Sequence, residues 1–273
     1  MPDTGVRTFD WRGDAAAGGG RAPVGNTAAL LWHQYRLERR LFWRNPSAAF
    51  FNLGLPLLFL AFFGVLFHGD QKELNVLIPG IAGMAVMSGT FVALGHNMVA
   101  LRQQGVLKRM RGTPLPGGVY LGGLALNALA NTVIQLVFVL AAGNLIFGID
   151  GIKDVPELVV FLIVGVLCFA SLGVAFSHVI PNSESAPAYI NAVFLPVIFI
   201  SGVFYDADNA PAFIRDIAEI FPLVHLIDGL SAALVTGASL ADSAGDLAVL
   251  AVSAVAGVYF AVRGFSWESR RSS

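Results

Sequence analysis

Charged residues are scarce in this sequence, at 13% of 273 positions, against about 25% in ordinary soluble domains. Hydrophobic residues make up 56% of the chain, so much of its surface must face something other than water, and a lipid bilayer is the usual choice. The single cysteine, Cys168, excludes a disulfide framework and a cysteine metal site. The net charge of −1 gives no argument for nucleic acid as a partner.

The sequence also lacks the motifs of nucleotide-binding, catalytic and metal-binding sites. The chain has no phosphate-binding loop of the form G-x-x-x-x-G-K-[ST], so it carries no ATPase site of that kind. No nucleophile–base or metal-ligand spacing stands out, and we therefore expect no catalytic residues, no metal and no other cofactor bound by this chain. Residues 1–25 are polar and glycine-rich and lack the apolar core of a signal peptide, which predicts a disordered cytoplasmic tail.

Long apolar runs are the main structural signal. About 20 helical residues cross a hydrocarbon core of roughly 30 Å. The sequence predicts an all-α integral membrane protein, with a six-helix transmembrane domain at residues 46–265 and a short cytoplasmic tail at residues 266–273. The six predicted spans are residues 47–67, 76–98, 119–147, 158–180, 187–204 and 244–262.

The distribution of lysine and arginine predicts the orientation. With six spans and the N-terminus inside, 14 of the 17 cations lie on the inner side, and only Lys72, Lys153 and Arg215 lie outside. This is the positive-inside pattern, which five spans or a reversed chain would destroy. We therefore expect both termini in the cytoplasm of a multi-pass membrane protein. The excess of arginine over lysine, 14 to 3, favours a bacterial source and so a bacterial inner membrane.

The spans themselves hold almost no charge. The first five contain no Asp, Glu, Lys or Arg, and the sixth contains only Asp246, near its outer end. Membrane spans retain charge mainly where it serves as a relay, a gate or an ion site. This scarcity argues against a proton- or sodium-coupled carrier, and it predicts that energy is supplied from outside the membrane.

Residues 26–45 precede the first span and are too charged to cross. Leucines at helical spacing, together with Trp32, Phe42, Trp43 and several arginines, predict an interfacial amphipathic helix that contacts membrane lipid. An ordinary solvated helix is the alternative interpretation.

A second cationic segment, residues 99–116, links the second and third spans on the inner side. Its phrase LRQQGVLKRM has the pattern of a short helix, closed by Gly112, Pro114 and Pro116. A topological anchor would need only the cations. A helix bounded by breakers is a rigid element that can transmit force from a partner.

This segment resembles the linker between the second and third helices of type-2 ATP-binding cassette (ABC) exporter permeases. These are the membrane subunits of drug, lipid and polysaccharide exporters, including the daunorubicin-resistance type, and their linker carries a coupling helix that contacts the ATPase subunit. This chain departs from the family pattern at Gln103 and Gln104, where an acidic residue is common, and at Val106. The residues that the resemblance assigns to ATPase coupling are Arg102, Gly105, Leu107, Lys108, Arg109, Arg111 and Pro114.

Residues 44–64 and 182–225 carry the same resemblance. It implies a re-entrant pair of short helices in an outer segment at residues 205–236, where residues 212–221 have an amphipathic pattern of their own. It also implies two partners: an ABC ATPase subunit, which would hold ATP and Mg²⁺, and a second permease subunit in a homodimer or a heterodimer. The residues assigned to the outer gate and re-entrant segment are Phe204, Pro211, Pro222 and His225.

Three amides recur at a spacing of four in the third predicted span. Asn127, Asn131 and Gln135 therefore share one helix face. Two interpretations stay open. The strip lines a substrate route at a dimer interface, or its side chains form interhelical hydrogen bonds that serve packing alone.

The sequence thus predicts a permease subunit of an ABC exporter that has no enzyme activity of its own. Its cargo would be an amphipathic drug, a lipid or a lipid-linked glycan, as in drug efflux and antibiotic resistance. The alternatives are a secondary carrier or channel that is not coupled to ATP, a membrane enzyme acting on lipid, and a non-transporting assembly or immunity protein.

Overall fold

The computed structural model describes residues 27–44, 46–67, 69–105, 117–147, 152–206 and 210–264. These ranges fold into helices and connecting turns, with no β-strand among them. The helices are α1 (Thr27–Arg44), α2 (Pro46–Leu66), α3 (Gln71–Met87), α4 (Ala93–Gln103), α5 (Gly117–Phe147), α6 (Val155–Ser177), α7 (Ala186–Ile200), α8 (Ala212–Ala218), α9 (Pro222–Ser231) and α10 (Ala244–Gly264). Two π-helical turns join them: π1 (Ser88–Val92) continues α3 into α4, and π2 (Ala232–Thr236) extends α9.

The predicted all-helical membrane fold is confirmed, but the number of crossings stays a prediction. Four helices are long and apolar enough to cross a membrane, and they match the second, third, fourth and sixth predicted spans: Gln71–Gln103, Gly118–Phe147, Val155–Ser177 and Ala244–Arg263. A bent pair, α8 with α9–π2, makes a fifth crossing if it is counted as one span. The first and fifth predicted spans match shorter apolar helices, Gly54–Leu66 and Ala186–Ile200.

The helix formed by α3, π1 and α4 lies at the centre of the bundle. Of its most apolar stretch, 78% is buried inside the protein, against 17% for α10, which therefore lies at the periphery. The apolar residues of α3 pack with those of α6 and α9 into one hydrophobic core. The central position of this helix means that changes in its geometry affect most of its neighbours.

Helices α6 and α10 run parallel to each other. Near their first turns the Ser243 hydroxyl donates to the Glu157 carboxylate at 2.7 Å, and further along the Ser171 hydroxyl donates to the Ala254 carbonyl at 3.2 Å. Both helices therefore end at the same end of the bundle.

The end of α4 differs from the sequence-based prediction. Gly105 has a φ of +65°, a left-handed conformation that favours glycine and closes the helix just after Gln103. The prediction that LRQQGVLKRM forms one continuous helix is therefore wrong, because the helix ends at Gln103, the third residue of that stretch. Residues 106–116, which contain the rest of the phrase, lie outside the described residues.

The two ends of the bundle differ chemically. We call one the arginine end: it holds α1, the start of α5 and the last turns of α4, α6 and α10. We call the opposite one the far end: it holds the turn between α2 and α3, the start of α6 and the bent pair. The described lysines and arginines of the arginine end are Arg36, Arg39, Arg40, Arg44, Arg102 and Arg263, and those of the far end are Lys72, Lys153 and Arg215.

Two short helices bent by 94° occupy the far end. The first, α8, ends at Ala218, three residues earlier than the amphipathic pattern predicts. The second, α9, packs into the core, where Leu226 lies so close to Gly165 of α6 that an added Cβ there would stand 2.7 Å from the leucine side chain. The N–H groups of Lys153 and Asp154 both donate to the Ala233 carbonyl at 3.0 Å, which fixes π2 to the start of α6.

Candidate functional site

The main cavity of the described structure opens between α1, α2, the central helix, α5 and α7, and its volume is about 720 Å³. Its wall combines apolar side chains with an unusual number of neutral polar ones. Such a mixture suits a ligand with both apolar and hydrogen-bonding surface. The polar residues of the wall are Glu38, Ser88, His96, Asn97, Asn127, Asn131 and Asn191.

The π1 turn forms part of this wall through Ser88 and Gly89. Hydroxyl groups support the turn from inside, because Ser88 donates to the Ala85 carbonyl at 3.1 Å and Thr90 donates to the Val86 carbonyl at 2.5 Å. A π-helical turn inside an α-helix is rare and is frequent at functional sites. Here it marks the point where the most buried helix of the bundle borders the cavity.

Close packing holds the other side of the turn. Gly173 of α6 lies against Phe91, and an added Cβ at Gly173 would stand only 2.7 Å from the Phe91 carbonyl oxygen. A glycine is needed here because any side chain would collide with the backbone of π1. The geometry of the cavity wall therefore depends on the contact between α6 and the central helix.

The structure separates the three amides of the predicted strip. Asn127 and Asn131 line the cavity, whereas Gln135 is buried deeper, beside Gly89 of π1. The side-chain oxygen of Asn131 accepts a hydrogen bond from the Arg39 guanidinium. The side-chain oxygen of Asn127 is buried and has no hydrogen-bond partner among the described residues. Asn131 thus has a packing contact between helices, while the side-chain oxygen of Asn127 is a buried acceptor without a described partner.

Glu38 reaches the cavity from α1. The Gln34 side-chain amide donates to one of its carboxylate oxygens at 2.8 Å, and Gln34 is itself packed against Gly123 of α5. Burial raises the pKa of Glu38 above its ordinary value, and the hydrogen bond from Gln34 opposes that shift. Nothing in the sequence distinguishes this residue, because there it is one charge among the arginines of an interfacial helix.

The predicted coupling residues lie at the arginine end. Arg102 donates to the Ser177 carbonyl at 3.1 Å and also to the Ile180 carbonyl, so it ties the last turn of α4 to the last turn of α6. Gly105 forms the turn after α4. The other five predicted coupling residues lie outside the described residues: Leu107, Lys108, Arg109, Arg111 and Pro114.

The predicted outer-gate residues lie at the far end. The Phe204 ring is 4.8 Å from the Phe63 ring and 5.2 Å from the Phe59 ring, in an aromatic cluster just after α7. Pro211 precedes the first turn of α8, and Pro222 is the first residue of α9. The prolines thus begin the two short helices, which is where proline is well tolerated.

His225 joins the bent pair to α10. Its Nδ1 atom lies 2.7 Å from the Asp246 carboxylate, and its Nε2 atom lies 3.0 Å from the Glu219 carbonyl oxygen. These two contacts hold both ring nitrogens of the imidazole. Asp246, the one charge within the predicted spans, therefore has a partner at the far end.

A buried acid at the far end, Glu157, is not evident from the sequence. Glu157 precedes the fourth predicted span by one residue and is fully buried in the structure. One carboxylate oxygen accepts from Ser243, and the other has no hydrogen-bond partner among the described residues. Asp154, which accepts from the Glu157 N–H at 3.0 Å, is the sequence signal for a helix start at this point.

Comparisons with known proteins identify the family. A model of the ABC-2 type transporter family matches residues 28–235. The chain belongs to this family. It is similar to the daunorubicin resistance ABC transporter permease protein DrrB1 of Streptomyces coeruleorubidus, with 29% identity over 252 residues, covering 85% of this chain and 87% of the relative.

Two further relatives of this ABC-2 family member are named for other roles. Nodulation protein J of Rhizobium meliloti (strain 1021) is 27% identical over 213 residues, covering 72% of this chain and 79% of the relative. The putative transport permease YvfS of Bacillus subtilis (strain 168) is 24% identical over 206 residues, covering 73% and 83%. The resemblance seen in the sequence is confirmed, and the apolar helices make the chain a multi-pass membrane protein of a transporter family.

Proposed function

We propose that this protein is the membrane subunit of an ABC exporter and that a separate ATP-binding subunit drives it. The observation that carries the proposal is a polar-lined cavity of about 720 Å³ bordered by a π-helical turn, in a member of the ABC-2 transporter family. The absence of a phosphate-binding loop from the whole sequence supports a separate ATPase. ATP and Mg²⁺ would bind to that partner, and this chain would bind no cofactor itself.

The arginine end would face the cytoplasm of a bacterial cell, with six crossings of the inner membrane and both termini inside. The positive-inside rule supports this orientation. Helix α1 would lie in the headgroup layer, because Trp32 and Trp43 are about half exposed beside arginines that suit anionic lipids. The cavity would then receive cargo from the cytoplasm or the inner leaflet.

A second permease subunit, identical or related, would complete the translocation pathway. Helix α7 supports this part of the proposal, because it contributes Asn191 and Phe194 to the cavity and still exposes Leu195 and Phe199. A second subunit packed on α7 would cover these side chains and close the open side of the cavity. The outer-gate residues at the far end would close the pathway between the two subunits.

The ATPase would act on the segment at residues 99–116. Arg102 supports this proposal, because it connects the start of that segment to α6 and so to the far end of the bundle. Closure of the ATPase dimer would move the segment and change which side of the membrane the cavity faces. Each orientation must bind the cargo with a different affinity for this motion to perform transport.

The cargo class would be an amphipathic drug, a lipid or a lipid-linked glycan. The relative named for daunorubicin resistance supports an amphipathic drug as cargo and, for this chain, a role in efflux or antibiotic resistance. A secondary carrier is the alternative function, favoured by the buried acid Glu157 and by Asp246 within the sixth predicted span. Transport driven by an ion gradient without ATP would support it.

The test is reconstitution of the full-length chain in proteoliposomes, with and without its ATPase partner. We expect transport of an amphipathic fluorophore that requires ATP, and we expect Arg109→Glu to reduce both transport and co-purification with the ATPase. The matched control is Arg270→Glu, the same charge reversal in the C-terminal tail, which should change neither. Transport that continues without the ATPase would disprove the proposed coupling.

A further inference from the structure

The cavity carries a single formal charge. Among the described residues that line it, Glu38 is the only Asp, Glu, Lys or Arg, and the other polar groups are hydroxyl, imidazole and amide side chains. We propose that the cavity selects a cationic amphiphile over neutral and anionic ones, and that the Glu38 carboxylate is its cation acceptor. This inference rests on the proposed function only in treating the cavity as part of the transport route.

The environment of Glu38 suits an acceptor that is held in place. Gln34 donates to one carboxylate oxygen, Oε1, at 2.8 Å. Gln34 is buried against Gly123, so the pair is anchored to α5 and is not free to swing on the surface of α1. A half-buried, anchored carboxylate loses little conformational entropy when it binds a cation.

The nearby cation is already engaged. Arg39 follows Glu38 in α1, but it does not line the cavity: its guanidinium donates to Asn131, and it lies 5.4 Å from the centre of the Trp43 ring. His96 directs Nδ1 to the Val92 carbonyl at 2.9 Å, within its own helix. The charge that a ligand meets inside the cavity is therefore the negative charge of Glu38.

The rest of the wall suits the remainder of such a ligand. Phe42 and Phe194 supply aromatic surface, whereas Asn97, Asn127 and Asn191 supply neutral donors and acceptors. Aromatic faces and a carboxylate together favour an organic cation with apolar groups around the charge. A small inorganic cation would instead need several oxygen ligands, and no group of three His, Cys, Asp or Glu side chains among the described residues could hold a metal.

The test measures binding of two matched probes to the full-length protein in nanodiscs of zwitterionic lipid, with empty discs subtracted. Tetraphenylphosphonium and tetraphenylborate have nearly the same size and apolar surface and carry opposite charges. We expect the phosphonium to bind more tightly, and we expect Glu38→Gln to weaken its binding about fivefold, the effect of one partly solvated ion pair.

Three further variants make the result decisive. Glu38→Asp keeps the charge and should retain most of the phosphonium affinity, and Glu184→Gln removes an exposed acid outside the cavity and should change nothing. Asn127→Lys puts a cation into the cavity without altering α1, and it should weaken phosphonium binding and strengthen borate binding. Asn127→Lys therefore tests the inference even if Glu38→Gln does not fold.

Unchanged phosphonium binding in both Glu38→Gln and Asn127→Lys would overturn the inference, and so would a wild-type preference for tetraphenylborate. Equal effects of Glu38→Gln and Glu184→Gln would show that only surface charge matters and would also overturn it. These binding measurements contain no ATPase, whereas the reconstitution experiment depends on one. Failure of the cation preference and failure of ATP-driven export are therefore distinguishable.

Discussion

Replacing Arg102 separates the two roles that the sequence and the structure give to this residue. The family resemblance places it among the residues that contact the ATPase, whereas the structure shows it donating to the Ser177 and Ile180 carbonyls at the end of α6. Arg102→Ala removes both hydrogen bonds and leaves two terminal carbonyls without this donor. If the contact to α6 dominates, the variant loses stability in the isolated subunit, with no ATPase present.

The size of the loss follows from the contacts. A hydrogen bond to a charged group contributes about 1.5–3 kcal/mol when buried, and a cation at a helix C-terminus contributes about 0.3–1 kcal/mol at an exposed site. Arg102 is only partly buried, so we expect a total of about 2 kcal/mol. By the size scaling of thermal unfolding, this corresponds to a melting temperature lower by about 3–4 °C.

The assay is thermal unfolding of the full-length subunit in nanodiscs. Arg102→Lys should restore part of the stability, because an ammonium group can reach one carbonyl but cannot bridge two in a fixed geometry. Arg40→Ala is the matched control, since it removes an exposed arginine from α1 at the same end of the bundle. An unchanged melting temperature in Arg102→Ala, together with lost binding to the ATPase, would refute the assignment to α6.

Four further substitutions test other parts of the structure. Asn131→Leu should lower the free energy of unfolding by about 1–3 kcal/mol, because it deprives Arg39 of its acceptor. Asn127→Leu should be neutral or stabilising, because it removes a buried oxygen without a described partner. Thermal unfolding of the two variants tests this difference. Glu157→Gln should unfold at the same or a higher temperature, since it removes a buried charge but keeps an acceptor for Ser243; a large loss would contradict this. Gly105→Ala should cost about 1 kcal/mol of stability, measured by the same method, because its φ is +65°.

The helices could be predicted from the sequence because apolar run length depends on local composition alone. The second, third, fourth and sixth predicted spans match helices within a few residues, since each run is long and is bounded by charge or proline. The end of α4 could not be placed this way. LRQQGVLKRM has helical composition on both sides of Gly105, and only the backbone shows that this glycine adopts the left-handed conformation.

The cavity could be predicted only in part. The spacing of Asn127 and Asn131 places them on one helix face, but whether each amide packs or faces a cavity depends on side chains from other helices, such as Arg39. The π1 turn leaves no clear signal in the sequence. Its backbone packs against Gly173 of α6, and that contact is visible only in the folded structure. The burial of Glu38 and Glu157 could not be predicted for a related reason, since burial of a charged side chain is a property of the packed bundle.

Helix α6 connects the features that lie far apart in this molecule. It accepts hydrogen bonds from Arg102 at the arginine end, touches π1 through Gly173 in the middle, and accepts from Ser243 through Glu157 at the far end. Its 23 residues span about 34 Å as a continuous helix, so a displacement at one end reaches the other without a hinge.

This arrangement predicts a specific defect for Gly173→Ala. The added methyl group collides with the Phe91 carbonyl and should push α6 away from π1, at a cost of about 1–3 kcal/mol of stability. If α6 carries the motion past the cavity wall, the reconstituted complex should still bind the ATPase and hydrolyse ATP, while export per ATP falls. Gly245→Ala, where the added methyl group meets open space on α10, is the control. Parallel losses of hydrolysis and export in Gly173→Ala would mean that this contact supports folding alone and that the motion travels by another route.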